Sequence, residues 1–281
     1  MFASRRAAIA VMTGMLCGRG LALLARAAPS CALQGKSVRA QLKELRARSI
    51  ARAIEFVTHY QGTEPHFPLL LDCIRRRFAI PELVGMTFRY DRLLERAQGE
   101  MRARLRVLRR VLDHESPLNP ADLDAIDINS LDGITARALQ CDRVPLEPGF
   151  AERLKNAVLE TDYGATHVAL ALLWMRENAC TLELGPTFET DLVERMAKLL
   201  TLDDRITDVE VESATFLYCM GHGDRVPSVF LDLVVAKQLE GGGWSNDSVA
   251  HAGVPHWHTS ALALWLLLEA ERGTKATMLP R

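Results

Sequence analysis

Val229–Trp244 (VFLDLVVAKQLEGGGW) and His256–Leu268 (HWHTSALALWLLL) decide how this chain is read. The first is an apolar segment that carries Gln238 and stops at Gly241, Gly242, Gly243 and Trp244. The second is an apolar segment that opens beside a histidine. A run of glycines after an apolar helix is a chain reversal, because glycine tolerates the left-handed conformation that caps and turns demand. The two segments therefore predict a helix, a turn with a loop, and a second helix.

The same pairing recurs upstream. The small-and-large apolar cores Thr135–Leu139 (TARAL), Val168–Leu172 (VALAL), Ser213–Leu217 (SATFL) and Ser260–Leu264 (SALAL) follow one another at intervals of 33, 45 and 47 residues. Such a spacing suits one helical hairpin per unit. Between the cores lie Gly149–Leu159, Phe188–Leu200 and Val226–Leu239, which carry the 3.6-residue stripe of half-exposed helices. Pro145, Pro148, Gly185, Pro186, Gly221, Gly223 and Pro227 punctuate the hairpins. No alternating β-branched run competes, and aromatic residues make up only 6 % of the chain. The expectation is an all-α fold, an α/α toroid-like set of repeated hairpins over 116–281, preceded by a basic helical region over 28–115.

At 281 residues and 48 % hydrophobic, the chain can bury one large core or two modest ones. Its formal charge of -1 conceals an asymmetry: Lys36–Leu112 holds 17 Lys/Arg against 8 Asp/Glu, whereas residues 113–281 hold 13 against 27. The two halves can neutralise each other within one fold, or the basic half can attract an anionic membrane surface. Met101–Arg110 (MRARLRVLRR) interleaves no aromatics with its arginines, which argues against nucleic acid. Arg5 and Arg6, the apolar Ala7–Cys17 and Ala25-Arg26-Ala27 have the order of a secretory signal peptide over 1–27, implying an exported, periplasmic or secreted protein. Five cysteines would then remain, an odd number that leaves pairing open. Cys73, Cys141, Cys180 and Cys219 read as small core residues, and no CxxC pair suggests a cysteine zinc cage.

Gln238, Gly242, Gly243 and Trp244 resemble the QW motif of squalene and terpenoid cyclases. The longer block that continues into Trp257-His258-Thr259 is also similar to the β-subunits of protein prenyltransferases. The resemblance covers about Asp127–Arg272 and implies the α/α toroid of that superfamily; from the prenyltransferases it implies a zinc ligand at His258. The departures are specific. Where the prenyltransferase pattern implies an Asp-x-Cys pair, this chain has Glu210-Val211-Glu212. Where the cyclases imply DxDD, it has Thr201-Leu202-Asp203-Asp204, and the stretch Asp203–Asp208 reads as a solvated helix cap.

In repeat register, a polar residue stands ahead of each buried core: Asp132, His167, Glu210 with Glu212, and His256 with His258. Inner helices of a toroid run parallel, so these residues are expected at one mouth of a cavity. Asp132, Glu210, His256 and Trp257 are candidate cavity residues. His167, Glu212 and His258 form a candidate two-histidine, one-carboxylate set for a divalent metal such as zinc, with Glu212 also a candidate general base. Two functions follow: a binding protein holding an apolar ligand, peptide or protein partner in its cavity, and a metal-dependent enzyme acting on a lipid or isoprenoid-like substrate. Each polar residue also has a simpler use as a helix cap.

Overall fold

A computed structural model describes residues 38–247, 253–273 and 277–280 of the chain. Residues 1–27, read above as a signal peptide, Cys31 and the loop residue His251 lie outside the described residues. Among those described, twelve α-helices and three short 3-10 turns occur and no strand, as the repeat pattern predicts. No described helix is long and apolar enough to cross a membrane.

Four helices carry the apolar cores: α6 (Leu131–Leu139), α8 (Asp162–Glu177), α10 (Asp208–Cys219) and α12 (Trp257–Arg272). They are buried nearly all round; in α12 every residue from Thr259 to Glu269 is buried. The helices between them, α7 (Phe150–Glu160), α9 (Phe188–Leu199) and α11 (Ser228–Ala236), bury one stripe each, such as Leu192, Val193 and Met196 in α9. α11 starts at Ser228, after Pro227, which supplies the extended backbone that precedes a helix.

Each buried helix packs on the next, α6 on α8, α8 on α10 and α10 on α12, with α7 and α9 outside them. The basic segment contributes α1 (Val38–His59), α2 (His66–Phe78), α3 (Met86–Arg96) and α4 (Gly99–Leu108), followed by the single turn α5 (Pro120–Asp124). α2 packs on α12, α3 on α2 and α4, and α4 on α6. The series of neighbours thus returns to the helix where it began. α1 lies along α12 and α11, and all of these helices belong to one unit spanning Ser37–Arg281.

The four buried helices start alike. Ser130, Thr161, Thr207 and His256 are their N-caps, and each side chain accepts from a backbone N–H in the first turn, at Gly133, Gly164, Glu210 and Thr259 respectively. Such a cap satisfies a donor that the helix leaves orphaned, worth about 1 kcal/mol. Opposite charges join the basic and acidic parts within this unit: Arg46 pairs with Asp232 and Glu271, Arg77 with the buried Glu269, and Arg104 with Asp132. Arg110, wholly buried, meets Asp142 with both terminal nitrogens and donates to the Leu139 carbonyl.

One sequence reading needs correction. Cys141 and Cys180 are not separate core residues but a disulfide across a separation of 39 residues. Cys141 follows α6 and Cys180 follows α8, so the bridge ties the ends of two adjacent buried helices. In the chain-entropy account, closing a loop of this size removes about 4 kcal/mol of unfolded-state freedom. Cys73 and Cys219 are free.

The glycine-rich block is a seam. Gln238 donates from Nε2 to the Gly242 carbonyl (2.8 Å) and the Ser49 carbonyl of α1 (2.9 Å). Arg52 donates back to the carbonyls of Leu239 and Glu240. Trp244 is fully buried and gives its indole N–H to Val234 O; its backbone carbonyl accepts from the His256 N–H and its backbone N–H donates to the Ser260 hydroxyl at the start of α12. Gly242 has φ +90°, and a Cβ there would stand 2.4 Å from the Arg52 carbonyl oxygen. Gly241 has open space around it. Gly242→Ala is therefore expected to destabilise the fold by about 1–3 kcal/mol, and Gly241→Ala to leave stability within about 0.5 kcal/mol. Urea denaturation of both variants checks this, and equal stabilities would show that the seam does not depend on close approach.

Candidate functional site

The polar starts of the buried helices surround a cavity of about 310 Å³. Its wall follows helical spacing. α2 contributes His66, Leu69, Leu70 and Cys73; α8 contributes His167, Leu170 and Trp174; α10 contributes Glu212 and Phe216; α12 contributes His258, Leu262 and Trp265. These are residues at i, i+3 or i+4, and i+7, one face of each helix. On α2, α8 and α10 the polar residue comes first and the apolar ones follow toward the C-terminus; on α12, Trp257 also lines the wall, just ahead of His258. α6 adds Asp132 and Thr135, both polar. Leu108, Val111 and Met278 also line it. The cavity is therefore amphipathic, with a polar end made by helix N-termini and an apolar body.

Asp208, the first residue of α10, organises the polar end. It is 3 % exposed, yet its carboxylate receives His258 Nδ1 at 2.7 Å, Tyr163 Oη at 3.0 Å and Thr259 Oγ1 at 2.5 Å. Burial opposes its ionisation, but the hydrogen bonds from His258 and Thr259, with the His256 ring 3.7 Å away, outweigh that and hold the carboxyl well below the usual range. For His258, burial favours the neutral ring, whereas the Asp208 hydrogen bond and charge, helped by Glu212, raise it above the ordinary histidine value. The Asp208 contact engages Nδ1, and Nε2 has no protein partner among the described residues.

Glu212 lies one helical turn beyond Asp208 on the same face. It is 4 % exposed; one carboxyl oxygen accepts from Thr166 Oγ1 at 3.0 Å. Burial pushes this carboxyl up, against the opposing pull of His167 and His258. Two carboxylates four residues apart are thus driven in opposite directions, Asp208 ionised and Glu212 toward the neutral acid. His167 points Nδ1 to the Tyr163 carbonyl of its own helix (2.9 Å). Burial lowers His66 to about 4, Asp132 pulling the other way, so it is neutral at pH 7.

Of the residues expected from sequence, Asp132, His167, Glu212, His256, Trp257 and His258 all line this one cavity. Glu210 does not. Its carboxylate closes a capping box with Thr207 and accepts from the Thr201 backbone N–H at 3.0 Å, so it finishes the start of α10 instead of facing the cavity. Asp203 is the exposed cap residue that the stretch Asp203–Asp208 suggested, paired with Arg205, but Asp208 at its other end is buried. His167, Glu212 and His258 share the cavity; among the described residues, no group of three or more His, Cys, Asp or Glu is placed to hold a metal ion. At the Asp-x-Cys position implied by the prenyltransferase resemblance, Glu210 is held in its capping box.

Sequence reasoning missed Asp208, Tyr163 and His66. The i, i+4 spacing of Asp208 and Glu212 was the available signal for the first. His66 begins a helix outside the repeat and had none. Comparisons of the chain with family models, with curated proteins and with solved structures return no match.

The shifts fix a pH dependence. Asp208 has a depressed folded pKa, so its contribution is present above the ordinary carboxylate value near 4 and fades as pH falls below it. His258 has a raised folded pKa, so its contribution is complete below about 6.5 and is lost as pH rises through the folded value. The stability difference between the protein and Asp208→Asn should therefore peak between about pH 4 and 6.5 and shrink on both sides. Urea denaturation across pH tests this, and a difference independent of pH would mean that the pair is not charged.

Proposed function

We propose that this chain is an α/α toroid-like binding protein whose cavity takes an elongated apolar ligand with a polar end. The closed series of packed helices, α6–α8–α10–α12–α2–α3–α4 and back to α6, supports the toroid-like reading, with α7 and α9 as outer helices. The observation that carries the function is the ordering of the wall: on α2, α8 and α10 the polar side chain precedes the apolar ones. A cavity needed only for folding would be filled, because empty apolar space costs stability. At about 310 Å³ it matches the small end of ligand sites. Burial of the ligand's tail against Leu69, Leu170, Phe216 and Leu262 supplies affinity, about 25 cal/mol per Å² of apolar surface before the cost of immobilisation. The Cys141–Cys180 disulfide supports an oxidising, extracytoplasmic compartment, in keeping with the signal-peptide order of residues 1–27.

Three of the four tryptophans, Trp174, Trp257 and Trp265, line the cavity, so intrinsic fluorescence reports its occupancy. Titration with ten-carbon amphiphiles should change that emission saturably. Leu170→Lys, a half-buried position on the cavity wall, places an ammonium beside the tail and should weaken binding by about tenfold or more while the helical content is kept. Unchanged binding in the folded variant would place the ligand elsewhere and remove the reading.

A further inference from the structure

The end of the cavity away from the helix starts is closed by a short piece of chain and not by a helix. Residues 277–280 form no regular element, yet Met278 and Leu279 are 4 % and 3 % exposed. Side chains hold this backbone in place. Glu177, the last residue of α8, accepts the Met278 N–H at one carboxylate oxygen (2.7 Å) and the Leu279 N–H at the other (2.8 Å). Arg76, near the end of α2, donates from Nη2 to the carbonyls of Met278 (2.8 Å) and Val111 (2.9 Å). Its Nε meets the buried Asp72 at 2.8 Å, which fixes the guanidinium in turn. At the same level Arg272, the last residue of α12, donates to the carbonyl of Phe78, the last of α2.

We propose that Met278 is the stop that sets the longest tail the cavity accepts, an inference that rests on the binding function just proposed. Of the segment 277–280, Met278 lines the cavity, whereas Leu279 packs into the core away from it. The last wall residues of α8 and α2 are Trp174 and Cys73, each one turn before the side chain that holds the segment, Glu177 and Arg76. Met278 therefore stands where the helical wall runs out. Methionine suits such a floor, because its unbranched thioether fills the end of an irregular space. With its own N–H and carbonyl and the Leu279 N–H all bonded, the Met278 backbone yields to a longer tail only by breaking hydrogen bonds to charged side chains.

The length follows from α8, where seven residues separate His167 from Trp174. At 1.5 Å per residue the polar and apolar ends stand about 10 Å apart, near the span of an eight- to ten-carbon chain. Unbranched alkanols of about six to twelve carbons, titrated against the full chain by tryptophan fluorescence, read the stop without a charged head. Affinity should rise about threefold per carbon up to about ten carbons and then level or fall, because each methylene is buried until the tail meets Met278. Met278→Ala removes the thioether beyond Cβ and should move that break outward by about two or three carbons. Leu279→Ala, in the same segment but off the cavity wall, should leave it in place. Methyl-labelled methionine NMR of the unsubstituted protein decides the matter even where a variant does not fold: the Met278 methyl should shift with decanol and not with hexanol. Four results overturn the stop and leave the apolar cavity standing. They are an unchanged break in folded Met278→Ala, an equal displacement in Leu279→Ala, an affinity that climbs unbroken through dodecanol, and a Met278 methyl that decanol moves no more than hexanol does. Absence of saturable binding by every alkanol overturns both this inference and the function on which it rests.

Discussion

A buried carboxylate must be matched by donors, and here one carboxylate draws its donors from different helices. Asp208 starts α10; Tyr163 reaches it from α8, and His258 and Thr259 from α12. An unpaired charge at that depth would cost several kcal/mol, so the starts of three successive helices are held at one level. That constraint makes the polar end of the cavity. With the starts in register, side chains one and two turns later also come level, and they are apolar: Leu170 and Trp174, Phe216, Leu262 and Trp265. A hydrogen-bonded cluster and a greasy body are therefore two consequences of one alignment.

The seam at Gly242 acts on the same alignment from outside. Gln238 and Arg52 bind the turn after α11 to α1, and Trp244 fixes the chain where it enters α12. His258 can meet Asp208 because α12 begins where it does. The QW-like residues Gln238, Gly242, Gly243 and Trp244 are in this structure scaffolding for the site, while Trp257 and His258, from the longer block, line the cavity with the other helix starts. The disulfide at the opposite ends of α6 and α8 completes the restraint, closing the side of the repeat that the Asp208 cluster does not reach.

Much of this was legible in the sequence, for physical reasons. Helix identity followed from the 3.6-residue spacing and from Gly and Pro punctuation, because those signals act within a few residues. The convergence of His167, Glu212 and His258 followed from repeat register, since equivalent positions on parallel neighbours come level. Glu210 was misassigned because register fixes height along a helix and not direction around it; two residues from Glu212, it faces away and caps. His66 was invisible because α2 belongs to no repeat, and its place at the cavity depends on how α2 packs against α12. The Cys141–Cys180 bond was hidden for a related reason: pairing depends on the spacing of α6 and α8, which cysteine counting does not carry.

The Asp208–His258 contact is the point on which the account turns, and imidazole nitrogen NMR reads it directly. Long-range proton–nitrogen spectra of the histidines should show His258 with Nδ1 protonated in a strong hydrogen bond and titrating above the ordinary value near 6.5. That displacement should vanish in Asp208→Asn. A His258 that titrates as a free histidine, with its proton on Nε2 and no response to Asp208→Asn, would contradict the alignment of helix starts from which the cavity and its ligand were derived.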